Sequence, residues 1–100
     1  MDDPDLYAGL IRLHILYHAA KEPIFGAGIS QELARHGYRL SAGTLYPMLH
    51  RLEQKGYLRS MVTWEGRQSR RFYRATSKGR RVLHAARAKV QELFGELLEQ

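Results

Sequence analysis

From Leu40 to Leu58 the chain reads L-S-A-G-T-L-Y-P-M-L-H-R-L-E-Q-K-G-Y-L. Leu45, Leu49 and Leu52 recur at the spacing of one helical face. Thr44, Pro47, His50, Arg51 and Gln54 fall towards the opposite side, which is polar and cationic and holds no carboxylate. Gly56 closes the segment, because the residue just past a last helical turn commonly takes positive φ. The apolar back anchors such a helix in a domain. The donor-rich front suits base-pair edges in a DNA groove.

Ser41 is placed to cap this helix. Pro47 conflicts with the carbonyl four residues back, at Gly43, so either the regular helix begins nearer Thr44 or its first turn is distorted; an irregular first turn is expected. Upstream, a helix is expected from about Gly26 to His36, with Ile29 and Leu33 as its core face and Gly37 as its end. Tyr38-Arg39-Leu40 is then a short connector. Further upstream, Leu6 to Lys21 forms a first helix, stopped by Glu22-Pro23. Leu6, Leu10, Leu13 and Tyr17 make one apolar stripe, and Ile11 and Ile15 widen it. A helix apolar over so much of its circumference is covered on more than one side, and a partner subunit is one such cover.

Downstream, Tyr57 to Trp64 and Ser69 to Ala75 favour strands, joined as a hairpin by Glu65-Gly66-Arg67-Gln68. Arg67 is at the tip, with Arg70 and Arg71 behind it. Thr76 caps a last helix that runs to the C-terminus. On it Leu83, Ala86, Val90, Leu93 and Leu97 recur at alternating three- and four-residue steps, and Phe94 and Leu98 broaden the stripe. So small a domain has little surface with which to cover this helix, so a second copy is the expected cover. The alternative is packing on the first helix of the same chain.

The order helix, helix, helix, hairpin, helix is mainly α with a small β-hairpin. It reads as a winged helix-turn-helix over 1–75, followed over 76–100 by a C-terminal dimerisation helix packed with the first helix of the partner. One hundred residues, 44% of them hydrophobic, suffice for one core and not for two. There is no cysteine, so disulfides and thiolate zinc sites are excluded. No apolar run approaches the ~20 residues of a membrane span. The start is acidic, with Asp2, Asp3 and Asp5, unlike a secretory signal. A cytoplasmic location and no membrane partner are expected.

The net charge is +6 and is unevenly placed. Arg59, Arg67, Arg70, Arg71, Arg74, Lys78, Arg80 and Arg81 face a single acid, Glu65, within 59–81, so this stretch alone carries +7. Arginine dominates the group, as suits phosphate and base-edge contacts, and points to a nucleic-acid partner. No acid pair or nucleophile setting supports an enzyme, and Gly26-Ala27-Gly28 is too short for a phosphate loop. No cofactor is expected. His14 and His18, four residues apart on the first helix, have the spacing of two metal ligands, and a third would have to come from elsewhere, the partner subunit being one source. Polar seam histidines bonded to neighbours are the plainer reading. His36, before a helix-ending glycine, suits the helix dipole.

The segment G-T-L-Y-P-M-L-H-R-L-E-Q-K-G-Y-L, residues 43–58, closely resembles the third helix of PadR-like transcriptional regulators. The segment R-R-F-Y-R-A-T-S-K-G-R-R-V-L, residues 70–83, resembles their second wing strand and the start of their last helix. The likeness runs from about Leu10 to Leu83, and the single C-terminal helix is similar to that of the smaller subfamily. It implies a dimeric bacterial or archaeal transcription factor, usually a repressor, that leaves DNA when a small molecule or other signal acts on the dimer. By the match, Thr44, Tyr46 and Arg51 lie where the recognition helix meets DNA, and Arg67 and Gln68 lie on the wing tip. Two departures stand out. Ala27 and Gly28 replace the tyrosine and acid that many relatives carry, and the single tryptophan, Trp64, is in the wing rather than the last helix.

The expected function is therefore sequence-specific binding of a roughly palindromic operator by a homodimeric repressor with a possible small-molecule effector. Ser41, Thr44, Tyr46, His50, Arg51, Arg67, Gln68, Arg70 and Arg71 are the candidate DNA contacts. Leu6, Leu10, Leu13, Tyr17, Leu83, Ala86, Val90, Leu93, Phe94 and Leu97 are the candidate dimer contacts. Two rivals are a winged-helix protein-interaction module without DNA readout and a metal-responsive regulator using His14 and His18.

Overall fold

The computed structural model describes residues 3–99; Met1, Asp2 and Gln100, which the ranges and the acidic start above include, lie outside it. Its elements are α1 (Pro4–Lys21), β1 (Ile24–Phe25), α2 (Gly26–Arg35), α3 (Ala42–Gln54), β2 (Leu58–Glu65), β3 (Gln68–Ala75) and α4 (Ser77–Leu98). The expected class, mainly helical with a winged hairpin, is the observed one. The start of α1 moves and its end does not. Helix α1 begins two residues early because the Asp3 carboxylate accepts the Leu6 N–H at 3.1 Å and Pro4 supplies the first helical φ. Glu22, ahead of Pro23, is extended and ends it.

The hairpin is one edge of a three-stranded antiparallel sheet in the order β1-β3-β2. Ile24 pairs with Tyr73 and Phe25 with Phe72. A two-residue strand leaves no alternation to read, so the sequence gives no sign of it. Its partner strand creates it.

The core gathers between α1, α2, α3 and the base of the sheet: Ile11, Ile15, Leu16 and Ala19 meet Ile29, Leu33, Leu45, Met48, Leu49 and Leu52, with Leu58 and Tyr73 below. Met48 joins the expected leucine face of α3. Ile11 and Ile15 form the buried face of α1, whereas Leu6, Leu10 and Tyr17 form a second, exposed stripe. The wide apolar circumference of α1 thus divides into two faces, one of them uncovered in the single chain.

Helix α3 runs without a break from Ala42, so the alternative of a later start nearer Thr44 is not found. Pro47 deprives only the Gly43 carbonyl of a donor, and the first turn is tightened by bonds from both Thr44 and Leu45 N–H to the Ser41 carbonyl. Ser41 occupies the cap position, but its hydroxyl does not cap the backbone. It lies 3.2 Å from the Thr44 hydroxyl. At the other end, Gly56 adopts φ 80°, and the Tyr57 and Gly56 N–H groups close back on the Leu52 and Glu53 carbonyls.

Helix α4 is tied to that same corner. The Thr76 hydroxyl accepts the Gly79 N–H at 2.9 Å and donates to the Gly56 carbonyl at 2.5 Å, so one side chain joins the end of α3 to the start of α4. Thr76→Ala removes both bonds and is expected to lower stability by about 1–2 kcal/mol. A urea titration checks this: the midpoint should fall at unchanged slope. An unmoved midpoint would show that the hydroxyl does not hold the corner. Beyond this anchored start α4 leaves the body of the domain, which accounts for overall dimensions of 56 × 31 × 20 Å.

Candidate nucleic-acid interface

The leucine face of α3 is buried, so its opposite face is presented outward by packing alone. Ser41, Pro47, His50, Arg51 and Gln54 are exposed and Thr44 is half-buried. No ion pair among the described residues involves Arg51, so its guanidinium is free to take an anion. Ser41 and Thr44 place two hydroxyls beside the first N–H groups of α3, an arrangement that favours phosphate oxygens. Tyr46 does two things. Its ring lies over Gly26, filling the space a side chain there would need, while half of the residue stays exposed.

The wing turn is tighter than the sequence suggests. Glu65 pairs with Gln68 as the last rung of the ladder, so only Gly66 and Arg67 lie in the turn. Gly66 has φ 62° and Arg67 has no positive φ, the combination of a type II′ hairpin. Arg67 is therefore at the tip as expected. Gln68, expected there too, is instead the first residue of β3, exposed beside it.

Behind the tip, Arg70 stacks on the Phe25 ring at 4.6 Å. Arg71 donates to the Ser60 hydroxyl at 2.9 Å. Ser60 in turn donates to the Glu53 carboxylate through both its hydroxyl, at 2.6 Å, and its N–H, at 3.0 Å. This chain from Glu53 of α3 through Ser60 of β2 to Arg71 of β3 fixes the wing against α3. Neither Glu53 nor Ser60 stands out in the sequence, because nothing local marks residues seven apart as partners. Arg70 and Arg71, with Phe25, Gly26 and Tyr46, border a cleft of about 350 Å³ at the N-terminus of α2. Two guanidiniums beside a helix N-terminus make this cleft electropositive.

Separate from that cleft, α1 and α4 enclose an open groove of about 920 Å³, lined by Leu10, Leu13, Tyr17, Leu83, Ala86 and Val90 among others. Leu13, Leu83 and Ala86 are half-buried by the chain itself, so the first turns of α4 do pack within the chain. Val90, Leu93, Phe94 and Leu97 are uncovered, as are Leu6, Leu10 and Tyr17 of α1.

His14 and His18 stand at one end of this groove. Burial pushes the His14 pKa below its ordinary value, and repulsion from His36 and His18 adds to this against a smaller opposing pull from Glu32. The His18 pKa is lowered too, first by burial, with Glu32 opposing it and His36 and Lys21 reinforcing it. His36, read from sequence as a helix-dipole partner, stacks on His14 at 4.6 Å.

No helix among the described residues is long and apolar enough to cross a membrane. Residues 15–85 match the family described as Transcriptional regulator PadR-like family. The chain is 52% identical over 88 residues to Transcriptional regulator Rv3488 of Mycobacterium tuberculosis (strain ATCC 25618 / H37Rv), covering 88% of this chain and 82% of that protein. It is similar to the crystal structure of a PadR family transcriptional regulator from Eggerthella lenta DSM 2243, with TM-score 0.83 and 36% identity over 96% of this chain and 88% of that one. A PadR-like transcriptional regulator from Bacillus cereus strain ATCC 14579 superposes with TM-score 0.79 and 25% identity, covering 95% of this chain and 97% of that one.

Proposed function

The chain belongs to the PadR-like family of transcriptional regulators, DNA-binding proteins and not enzymes, and from that premise we propose that it is a homodimeric repressor of a roughly palindromic operator. Regulators of this family bind DNA, generally as dimers. The observation that carries the reading is the pair of separate unsatisfied surfaces on one small body. One is the cationic front of α3 with the wing arginines. The other is the apolar stripe shared by α1 and α4.

In this reading residues 1–75 read DNA and 76–100 make the dimer. A two-fold axis through the apolar stripe sets two copies of α3 into successive major grooves, about 34 Å apart. Ser41 and Thr44 hold phosphate at the start of α3. His50 and Arg51 face the groove. Arg70 and Arg71 grip the backbone, and Arg67 enters the neighbouring minor groove, with Gln68 and Tyr46 at the margins. A small-molecule effector in the α1–α4 groove changes the separation of the two α3 helices, and it shifts operator occupancy only as far as it binds one dimer state better than the other. The protein works in the cytoplasm.

Gel-shift titrations of Arg51→Ala and Arg67→Ala test the assignment. Each is expected to weaken operator binding by roughly 1–3 kcal/mol, five- to about 150-fold. If Arg51 holds a phosphate, its loss also lowers the dependence of affinity on salt by about 0.9 of one logarithmic unit per unit. Wild-type affinity in both variants would remove α3 and the wing from the interface.

A further inference from the structure

We propose that His14, His18 and His36, with the Glu32 carboxylate, form a binding site for one borderline transition-metal dication of the zinc class. The site stands apart from the DNA reading and does not require it.

The three imidazoles come from two elements. His14 and His18 are one turn apart on α1, and His36 is the C-cap residue of α2. Each offers a ring nitrogen, and the three ligating atoms lie within 4.8 Å of one another. The Glu32 Oε1 atom lies 3.8 Å from His18 Nε2 and 3.7 Å from His36 Nε2. Those separations are too long for hydrogen bonds. They approach the separation of two ligands on one ion: bonds of ~2.0–2.1 Å at a tetrahedral angle place ligand atoms about 3.3 Å apart. Small side-chain rotations close the difference.

Three further features favour an ion over a plain polar seam. First, the His18 Nε2 atom is buried and has no hydrogen-bond partner among the described residues, a cost that a bound cation would offset. Second, the Arg35 guanidinium donates to the other Glu32 oxygen at 3.1 Å, which orients the carboxylate and leaves Oε1 towards the histidines. Third, stacking of His14 on His36 at 4.6 Å and alignment of His14 with His18 at 6.3 Å bring like groups together, unfavourably if they carry protons and usefully if neutral nitrogens share an ion. Three nitrogens and one oxygen select zinc, nickel or cobalt over magnesium or calcium, which prefer all-oxygen shells.

Zn²⁺ itself is the probe, added to the full chain in competition with a chromophoric chelator. One ion per chain is expected, at micromolar affinity or tighter, with no competition from millimolar Mg²⁺. His14→Ala/His18→Ala should abolish binding. His36 is exposed at a helix end, so His36→Ala keeps the fold, checked by circular dichroism, and should weaken Zn²⁺ at least tenfold. Glu32→Gln should weaken it roughly 10–100-fold. Wild-type affinity in His36→Ala, or Zn²⁺ held only at millimolar concentration by the parent chain, would overturn the site and leave the DNA reading untouched.

Discussion

Glutamate at both Leu93 and Leu97 is expected to leave the chain monomeric at micromolar concentration and to abolish tight operator binding. In the single chain Leu93 is 49% exposed, Phe94 62% and Leu97 60%, on a helix that projects from the body with no cover of its own. Complete burial of one such side chain is worth about 1.5–3 kcal/mol, so covering the half that remains exposed contributes about 1 kcal/mol. The stripes of α1 and α4 together offer enough such contributions, counted over two copies, to exceed the ~4–15 kcal/mol that association costs. The margin is narrow. Losing two leucines from each protomer removes about 4 kcal/mol, a thousandfold in Kd, before the cost of burying four carboxylates is added.

The monomer should retain its helix content, because both positions are already in water. Light scattering after size exclusion reads the mass, and a gel shift reads the loss of two-site binding. A variant still dimeric at low micromolar concentration would place the interface elsewhere and would contradict the proposed role of 76–100.

Gly79→Ala is expected to destabilise the fold by about 2 kcal/mol or more, although Gly→Ala within a helix ordinarily stabilises. Helix propensity favours alanine by about 1 kcal/mol. Against it stands the backbone of Tyr57. A Cβ on residue 79 would overlap the Tyr57 carbonyl oxygen and lie 3.0 Å from its carbonyl carbon. That carbonyl is also fixed by the Thr76 N–H at 3.0 Å. A side-chain obstacle could rotate away, whereas this one is main chain held from two sides, so α4 must lift from the corner it shares with α3. Overpacking of this kind costs about 1–3 kcal/mol and more where nothing can give, so the clash exceeds the propensity gain. Thermal unfolding should show the loss as a fall in Tm of roughly 8–16 °C for a domain this size. A Tm at or above that of the parent would mean that α4 does not sit so closely on Tyr57.

The helices were legible wherever composition and period agreed. Leu45, Leu49 and Leu52 marked the buried face of α3, and with it the outward position of His50 and Arg51, because a 3.6-residue period links the two faces without reference to any other element. Gly37 and Gly56 marked helix ends for an equally local reason. The resemblance over residues 43–58 and 70–83 then identified the family that the comparisons show. What stayed hidden involved residues far apart in the chain. The strand Ile24–Phe25 exists only because Tyr73 and Phe72 lie beside it. Arg71 is readable as a surface cation, but its bond to Ser60, and that of Ser60 to Glu53, depend on how the wing folds against α3.

By itself, then, the order of residues determined the helices, the hairpin, the cationic front of α3 and the arginine-rich wing, since each depends on neighbours a few positions away. Only the tertiary structure decided that α1 divides into a core face and an uncovered stripe, that Gly79 must lack a side chain, and that His36 joins His14 and His18 within 4.8 Å. The physical reason is range. Backbone preference and side-chain period act over one or two turns, whereas a close approach or a ligand set is made by segments that meet only after the core has collapsed.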